Sequence, residues 1–415
     1  MQDMPNGGHP ASGPSREEEA GPSPGGPPDG PDPDRLADRY RDEFPLLEEK
    51  TYLNSNSLGA LSRRSLEARR AFERDWNERG AASWYGDDGW TAKLDEVRTA
   101  FGRTVGGAEG EVALMPSISA GLTAVADALD LREGDRVVVS ELDFPTLVYQ
   151  FLARRRLGLE VEVVESPDGV EVPLEAWREA LSGGADLVAT SHVFFATGAV
   201  QDIEALGRLA REAGARYLVD AYQSHGQIPV DARATGADFL LSGALKWLMG
   251  GPGLAFLWTR AELARELEPV ALSWFGVEEQ FAFRPRDAVP RNDARRFEMG
   301  TPAVGAAFTA SGGLEIVEEI GVPAIRARNR ALARDLVERL RGAGFELRVA
   351  PEGRRSAIVL ARHPEPEAAV EHLAGRGVIC DARPGVVRLS PHFYNTFEDN
   401  RRAVEALREF REDVG

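Results

Sequence analysis

The stretch DFLLSGALKWLMGGPGLAFLW, residues 238–258, decides the fold. Its apolar run DFLL predicts a buried strand that ends near Ser242 and Gly243. The following GGPG, residues 250–253, predicts a turn into a second apolar strand, LAFLW. Lys246 is therefore expected on a short loop between two buried strands.

Lysine is rare in this chain. Of the 49 lysine and arginine residues, only Lys50, Lys93 and Lys246 are lysine. A Schiff base with an aldehyde cofactor needs an amine that can lose its proton, and a guanidinium cannot do so near neutral pH. The apolar surroundings of Lys246 favour this role over the usual one of a lysine on a solvated loop.

Outward from this stretch, short apolar strands alternate with helical segments from about residue 111. Strands are predicted at 112–115, 136–140, 160–164, 186–191, 216–220, 238–242 and 254–258. This alternation is typical of an α/β fold with a mostly parallel sheet and crossover helices. Because chemistry in such sheets gathers at the carboxyl ends of the strands, Ser191, Asp220 and Lys246 are expected near one another.

The chain is predicted to divide into four segments. Residues 1–33 are proline, glycine and acid and predict a disordered tail. An N-terminal segment, 34–60, precedes a large domain, 61–310, and a smaller α+β domain, 311–415. A helix is predicted at 62–79 with Ser62 as N-cap. In the small domain, helices are expected at 325–341, 365–376 and 398–412, and strands near 346–349, at 356–360 and as a pair within 378–389.

Composition excludes several classes of partner. The net charge of -18 predicts no nucleic-acid or membrane-surface partner. No apolar run approaches membrane-spanning length, and no secretory signal is recognised, so a cytoplasmic location is expected. The single cysteine, Cys380, excludes an intrachain disulfide framework and a multi-cysteine metal site. No metal is predicted.

Asp220 ends the predicted strand RYLVD and precedes AYQSHG. A carboxylate buried there costs several kcal/mol unless a cation meets it. The nitrogen of a pyridoxal phosphate ring would be such a cation, and Asp220 would keep it protonated. Gln223 could donate to the ring phenolate. The alternatives are a turn-capping aspartate and a surface amide.

The sequence also contains candidate contacts for the phosphate and the ring of this cofactor. The stretch MPSISAGL places Ser117 and Ser119 directly before a helix, where backbone N–H groups bind anions. A plain N-cap explains these serines equally well. Phe144 follows the strand RVVVS, where its ring could stack on a cofactor or pack into the core.

These residues together carry a family resemblance. The chain resembles fold-type I pyridoxal-phosphate enzymes of the class V aminotransferase group, and within it the kynureninases. The matching motifs are YLNSNSLG (52–59), SELDFPTLVY (140–149), SHVFFATG (191–198), DAYQSHG (220–226), the stretch at 238–253, SWFG (273–276), RRFEMGTP (295–302) and VICDARPGVVRLSPHFYNTFEDN (378–400). The resemblance implies an aspartate aminotransferase-like fold and pyridoxal 5'-phosphate as cofactor.

The resemblance also implies roles. Lys246 would form the Schiff base and Asp220 would meet the pyridine nitrogen. Further cofactor contacts are implied for Ser119, Ala120, Phe144, Ser191, Gln223, Ser242, Trp274 and Thr301. Thr301 would reach the phosphate across a homodimer interface. Arg388, with Asn56, would bind the substrate carboxylate, because a guanidinium fork matches a carboxylate in two hydrogen bonds.

Departures from the kynureninase pattern leave the amino-acid substrate open. Leu245 replaces the tyrosine usual before the lysine, so that Ser242 or water must compensate at the phosphate. Gln223 stands where kynureninases usually have histidine, and in this respect the chain resembles the cysteine desulfurases. The loop SWYGDDGW (83–90) lacks the histidine associated with recognition of the kynurenine side chain. A kynureninase-like hydrolase or lyase is favoured. A class V aminotransferase, a cysteine desulfurase and a non-catalytic scaffold stay open.

Overall fold

The computed structural model describes residues 32–414. Apart from Asp32 and Pro33, the predicted tail lies outside these residues. Helices and strands are numbered in chain order. The helices are α1 Leu36–Tyr40, α2 Leu46–Glu49, α3 Arg63–Arg79, α4 Trp90–Thr104, α5 Ile118–Ala128, α6 Pro145–Arg154, α7 Leu174–Ala180, α8 Ile203–Glu212, α9 Ala261–Glu266, α10 Val304–Ile320, α11 Val322–Gly342, α12 Pro366–Gly375 and α13 Phe397–Val414. The strands are β1 Thr51–Tyr52, β2 Val112–Met115, β3 Arg136–Ser140, β4 Glu160–Val164, β5 Leu187–Ser191, β6 Arg216–Asp220, β7 Phe239–Gly243, β8 Ala255–Thr259, β9 Val359–Arg362, β10 Val378–Ile379, β11 Asp381–Arg383 and β12 Val386–Leu389.

Seven strands form the central sheet, in the order β2-β8-β7-β6-β5-β3-β4. The pairs among β3 to β7 are parallel, and β8 pairs antiparallel with both β7 and β2. The GGPG turn explains this exception, because it returns the chain directly beside β7 without a crossover helix. The predicted α/β fold with a mostly parallel sheet is confirmed.

The sheet is apolar on both faces. The side chains of β5, β7 and β8 are buried throughout, and helices cover them. On one face α5 lies very close to β7, since a Cβ on Gly121 would stand 2.5 Å from Leu241 Cδ2. This close approach fixes the N-terminus of α5 beside the ends of the central strands.

A second sheet contains β11, β12 and β9 in that order, all antiparallel. Its register places Asp381 opposite Arg388 and Arg383 opposite Val386. The strand predicted at 346–349 forms only an isolated bridge, between Leu347 and Ala361. A separate parallel pair, β1 with β10, joins the N-terminal segment to this region.

The helix predicted at 62–79 is α3, and Ser62 is its N-cap. The Ser62 hydroxyl accepts a hydrogen bond from the Ser65 N–H at 3.0 Å, which satisfies one of the free donors of the first turn. None of the helices between residues 32 and 414 has the length and apolar character needed to cross a membrane.

Candidate active site

A cavity of about 380 Å³ lies between the two sheets, next to the ends of β5 and β6. The N-terminal segment, the start of α5, the Lys246 loop and the second sheet line it, together with residues that follow β3, β5 and β6. Its lining includes Asn56, Ser57, Ser117, Ser119, Phe144, Ser191, Asp220, Tyr222, Gln223, Lys246, Arg383 and Arg388. The structure thus gathers most of the sequence-predicted site residues around one space.

Lys246 lies on the turn between β7 and β8, as the sequence predicts. The motif NSNSLG packs on this turn: the Gly59 N–H donates to the Leu245 carbonyl at 2.8 Å, and a Cβ on Gly59 would stand 2.1 Å from the Lys246 carbonyl oxygen. Only glycine fits there. The contact fixes the backbone of the lysine and brings Asn56 to the same cavity.

The Lys246 amine is surrounded by rings. Its Nζ lies 4.1 Å from the centroid of the Tyr222 ring and 5.8 Å from that of Phe144. Gly243 makes room for Tyr222, since a Cβ on Gly243 would stand 2.5 Å from the tyrosine ring. The amine therefore lies beside apolar ring surfaces at the cavity.

Burial lowers the pKa of Lys246 to about 7. The Asp220 carboxylate raises it in part, and the positive charges of Arg388 and Arg383 lower it. Taking an ammonium ion out of water is costly, so the neutral amine gains relative to the charged one. Near neutral pH, a large fraction of Lys246 is an uncharged nucleophile.

Asp220, the last residue of β6, is buried, and few neighbouring groups stabilise the charge of its carboxylate. Its carboxylate accepts a hydrogen bond from the Tyr222 N–H at 2.8 Å. Burial raises the pKa of Asp220, and the Tyr222 N–H and the charge of Lys246 lower it in part. A cationic ring nitrogen in the cavity would supply the missing partner.

A second buried carboxylate, Asp143, organises the neighbouring loop. It accepts hydrogen bonds from the Ser140 N–H at 2.9 Å, the Thr190 hydroxyl at 3.0 Å and the Ser191 N–H at 2.6 Å. Burial raises the pKa of Asp143 to about 7, although these hydrogen bonds lower it in part. The network ties the end of β3 to the end of β5 and so positions both Phe144 and Ser191 at the cavity.

The start of α5 lies at the cavity. Ser117 is the N-cap, and its hydroxyl accepts from the Ala120 N–H at 3.1 Å. The Ser119 side chain lines the cavity, whereas Ala120 does not. The N–H groups of the first turn, other than that of Ala120, point toward the N-terminal end of the helix and suit a phosphate.

Gln223 and Asn56 are held by the protein itself. The Gln223 amide donates to the Asn56 carbonyl at 3.0 Å and accepts from the Trp247 indole N–H at 2.9 Å. One amide N–H of Gln223 is left for a ligand. The Asn56 amide lies against the guanidinium of Arg388, and with its oxygen turned toward Arg388 it accepts from Nε at 2.6 Å.

Besides Ala120, three predicted contacts do not line this cavity in the described chain: Ser242, Trp274 and Thr301. Ser242 is fully buried, and its hydroxyl lies 3.2 Å from His225 Nδ1. Successive strand side chains point to opposite faces, and Gly243, not Ser242, faces Tyr222. The structure therefore does not place Ser242 where it could replace the tyrosine missing at Leu245.

Trp274 and Thr301 lie elsewhere. Trp274 packs against Phe275, Phe281 and Phe283 and donates its indole N–H to the Gln280 carbonyl at 2.7 Å. Thr301 is exposed just before α10. Neither residue lines the cavity of its own subunit.

Arg388 is buried and already paired. Its Nε donates to Asp381 Oδ1 at 2.8 Å, and its Nη2 donates to Asp381 Oδ2 and to the Ser57 hydroxyl. Its Nη1 donates to the Phe195 carbonyl at 2.8 Å. The two-bond fork expected for a substrate carboxylate is therefore occupied by Asp381 in this structure.

The side chains present fit pyridoxal phosphate. The cavity offers an amine of lowered pKa, a buried carboxylate lacking a close cationic partner, a helix N-terminus with serines, and an exposed aromatic ring at Phe144. These four groups match an aldehyde, a pyridine nitrogen, a phosphate and a ring face in turn.

Tyr222 and Arg383 are among the cavity residues that were not predicted from the sequence. Tyr222 lies two positions after Asp220, and the sequence analysis included it only as part of the motif DAYQSHG. Arg383 lies two residues after Asp381, and the alternation of strand side chains could have shown that both face the same way as Arg388. Arg383 is 35% exposed, against 1% for Arg388.

Cys380 lies outside the cavity, in the apolar core of the second sheet. Burial raises the pKa of its thiol to about 12. A buried thiol of this kind is a small packing residue rather than a nucleophile.

Comparison with known proteins agrees with this fold. The family model described as Aminotransferase class-V matches residues 51–402. An uncharacterized aminotransferase of Bacillus subtilis, YcbU, is 35% identical, over 90% of this chain and 98% of its own. A kynureninase of Pseudomonas fluorescens is 33% identical, over 89% of this chain and 91% of its own.

Solved structures share the architecture. The apo cysteine desulfurase of Thermococcus onnurineus matches with a TM-score of 0.83 at 24% identity, over 91% of this chain and 98% of its own. The cystine C-S lyase C-DES matches with a TM-score of 0.81 at 20% identity, over 88% of this chain and 99% of its own. At these identities the likeness concerns the fold.

The fold and the lysine–aspartate cavity define a cofactor-dependent enzyme architecture of the aspartate aminotransferase type. The chain belongs to the class V aminotransferase family. Membership of this family confirms the cofactor predicted from the sequence, pyridoxal 5'-phosphate.

Proposed function

We propose that this protein is a pyridoxal-phosphate enzyme that acts on a small α-amino acid, with Lys246 as the residue that binds the cofactor aldehyde. The observation that carries the proposal is the cavity shared by Lys246 and Asp220, in which burial lowers the pKa of the amine and raises that of the carboxylate. The bound cofactor supplies an electron sink for bonds broken at the α-carbon.

The protein's own residues have separate tasks in this proposal. Asp220 stabilises positive charge on the pyridine nitrogen, Phe144 packs on the ring, and Ser119 with the N-terminus of α5 holds the phosphate. Lys246, once released from the aldehyde, carries a proton to and from the substrate. Its pKa near neutrality suits it to both directions of transfer.

We favour a kynureninase-like reaction, in which a bond at the β-carbon is cleaved by hydrolysis or elimination. The kynureninase of Pseudomonas fluorescens supports this choice by its identity over nearly the whole chain. The burial of Cys380 speaks against a cysteine desulfurase, which needs a mobile thiolate that reaches the substrate sulfur. A class V aminotransferase is the second candidate, because the relative from Bacillus subtilis carries that name.

We further propose a homodimer in which Thr301 serves the partner's phosphate site. The exposure of Thr301 just before α10 and its absence from the lining of the subunit's own cavity support this arrangement. The two-domain division at residue 310 also stays a proposal.

The decisive experiment is a screen of purified, cofactor-loaded protein against amino acids. Release of alanine from a substrate whose β-carbon carries a cleavable carbon–carbon bond supports the kynureninase-like reaction. Formation of a keto acid only when an amino acceptor is present supports the aminotransferase, and release of sulfide from cysteine with a persulfide on Cys380 supports the desulfurase. The Lys246→Ala variant, processed in parallel, identifies activity from contaminating enzymes.

A further inference from the structure

Trp247, the residue after Lys246, connects the lysine turn to two other parts of the chain. Its indole ring is fully buried and donates its N–H to Gln223 Oε1 at 2.9 Å. Its carbonyl oxygen lies 3.1 Å from His392 Nε2, and the two rings meet edge to face with their centroids 5.2 Å apart. His392 lies just after β12. Trp247 therefore joins the lysine turn to the loop after β6 and to the second sheet.

The side-chain amide of Gln223 is fixed in one orientation. An indole N–H can only donate, so the atom that faces Trp247 is the amide oxygen. The Asn56 carbonyl can only accept, and it faces the amide nitrogen at 3.0 Å. Among residues 32–414, the second N–H of this nitrogen has no hydrogen-bond partner. Because Gln223 lines the cavity, it is available to a ligand there as a donor.

His392 is fixed by the same kind of argument. The Trp247 carbonyl only accepts, so the proton of the neutral ring is on Nε2. The other ring nitrogen, Nδ1, then accepts from the side-chain amide of Asn329 on α11, at 3.1 Å. Burial lowers the pKa of His392 to about 3, although the bond to the Trp247 carbonyl raises it in part. Near neutral pH, His392 is thus an uncharged donor that ties Trp247 to α11.

The backbone of Gln223 is held separately from its side chain. The Gln227 amide donates to the Gln223 carbonyl and accepts from the Ala357 N–H at 3.0 Å. This bridge keeps the loop after β6 in place without Trp247. The contribution specific to Trp247 is therefore the contact with the amide oxygen, which would otherwise be a buried acceptor without a partner.

We propose that Trp247 and His392 are positioning residues that hold Gln223 as a hydrogen-bond donor toward the phenolic oxygen of pyridoxal phosphate. This inference rests on the proposed function, because it requires the cofactor in this cavity. A donated hydrogen bond stabilises the phenolate form of that oxygen. Its loss should therefore raise the pH at which the bound cofactor gives up its proton.

The test follows the visible absorbance band of the cofactor-loaded protein against pH and takes the midpoint of its change. The variants are Trp247→Phe, which removes the indole N–H but keeps an aromatic ring, Gln223→Leu, and the two combined. The matched control is Trp258→Phe. Trp258 is equally buried and donates its indole N–H to Glu111 at 3.1 Å, but it does not line the cavity. Every variant retains the charged side chains that line the cavity: Asp220, Lys246, Arg383 and Arg388.

We expect Gln223→Leu to raise the midpoint by about one pH unit, the size of one hydrogen bond to a charged group. Trp247→Phe should raise it by about half as much, because the amide is then held on one side only. The combined variant should match Gln223→Leu alone, since Trp247 acts through Gln223. Trp258→Phe should keep the wild-type midpoint.

Substitutions at His392 give a second test that does not depend on the folding of Trp247→Phe. His392→Leu should raise the midpoint as Trp247→Phe does. His392→Gln should restore most of the wild-type value, because its amide N–H can donate to the Trp247 carbonyl. The melting temperature of each variant is measured beside its midpoint. A purely structural role would lower the melting temperature and leave the midpoint unchanged.

Two results would overturn the inference. One is a wild-type midpoint in Trp247→Phe or Gln223→Leu at normal cofactor content. The other is a shift in the combined variant equal to the sum of the two single shifts, which would show that Trp247 acts independently of Gln223. A wild-type protein without a visible cofactor band would instead refute the proposed function, and this inference with it.

Discussion

The Lys246 amine lies 4.1 Å from the centroid of the Tyr222 ring, inside a cavity whose only lining carboxylate among the described residues is Asp220. A ring face stabilises a cation only weakly compared with water, so burial dominates the titration of the lysine. The pKa of Lys246 is lowered to about 7 as a result. The following prediction depends on that shift.

Acylation of Lys246 in the cofactor-free protein should rise with pH and reach half its maximum near pH 7, because only the neutral amine reacts. Peptide mass spectrometry after brief treatment with acetic anhydride measures this directly. Lys50 and Lys93, the other two lysines, serve as comparison sites in the same sample. Asp220→Asn should move the Lys246 midpoint to lower pH, since the carboxylate raises this pKa. A Lys246 midpoint near its ordinary value, about 10, would contradict the role of burial.

Asp220→Asn should have opposite effects on cofactor binding and on stability. Loss of the charge opposite the pyridine nitrogen should weaken cofactor retention by about 3 to 5 kcal/mol, the cost of breaking a buried ion pair. In the cofactor-free protein the folded pKa of Asp220 is raised, so the carboxylate lowers stability at pH values above its unfolded pKa. The variant should therefore unfold at the same or a higher temperature than wild type without cofactor. Scanning calorimetry with and without cofactor measures both effects, and a destabilised cofactor-free variant would contradict the account.

Cys380→Ala should keep most of the activity on the true substrate. The thiol packs in the core of the second sheet, and its loss should cost about 1 kcal/mol of unfolding free energy. Because its pKa is raised to about 12, the folded protein should also resist alkylation by iodoacetamide at neutral pH. An inactive variant with normal cofactor content would point to a desulfurase instead.

Mixed dimers test the proposed role of Thr301. Lys246→Ala and Thr301→Ala subunits, each inactive or impaired alone, should regain activity when they are unfolded and refolded together. Half of the dimers formed at random are mixed, and each has one intact site, so about a quarter of wild-type activity is expected. Absence of any gain, with dimers shown by light scattering, would indicate that Thr301 does not act across an interface.

The fold was largely predictable because its strands are short apolar runs separated by clear turns. Strands β2, β3, β4 and β6 have the predicted bounds, and Ser62 caps α3 as expected. The prediction of a strand at 346–349 was wrong, since these residues make only one isolated bridge. A short apolar run predicts a strand only if a partner lies beside it in the fold.

The candidate site was predictable where a residue's place at the cavity follows from the end of a strand, as for Asp220 and Lys246. The site was less predictable where the direction of a side chain decides whether the residue can contact a ligand in the cavity. Ser242 faces His225 rather than the cavity, and Arg388 is occupied by Asp381. Both facts depend on which neighbours the folded chain supplies, and sequence spacing does not contain them.

The central claim is that Lys246 forms the bond to the cofactor aldehyde, and reductive trapping tests it most directly. The protein is incubated with pyridoxal phosphate, reduced with borohydride and digested, and the cofactor's mass is located among the peptides of Lys50, Lys93 and Lys246. Lys93→Ala is the matched control. We predict that the added mass lies on the Lys246 peptide in wild type and Lys93→Ala, and that Lys246→Ala carries none while it keeps its thermal stability. Specific labelling of Lys50 or Lys93, or a stoichiometric label in Lys246→Ala, would contradict the claim.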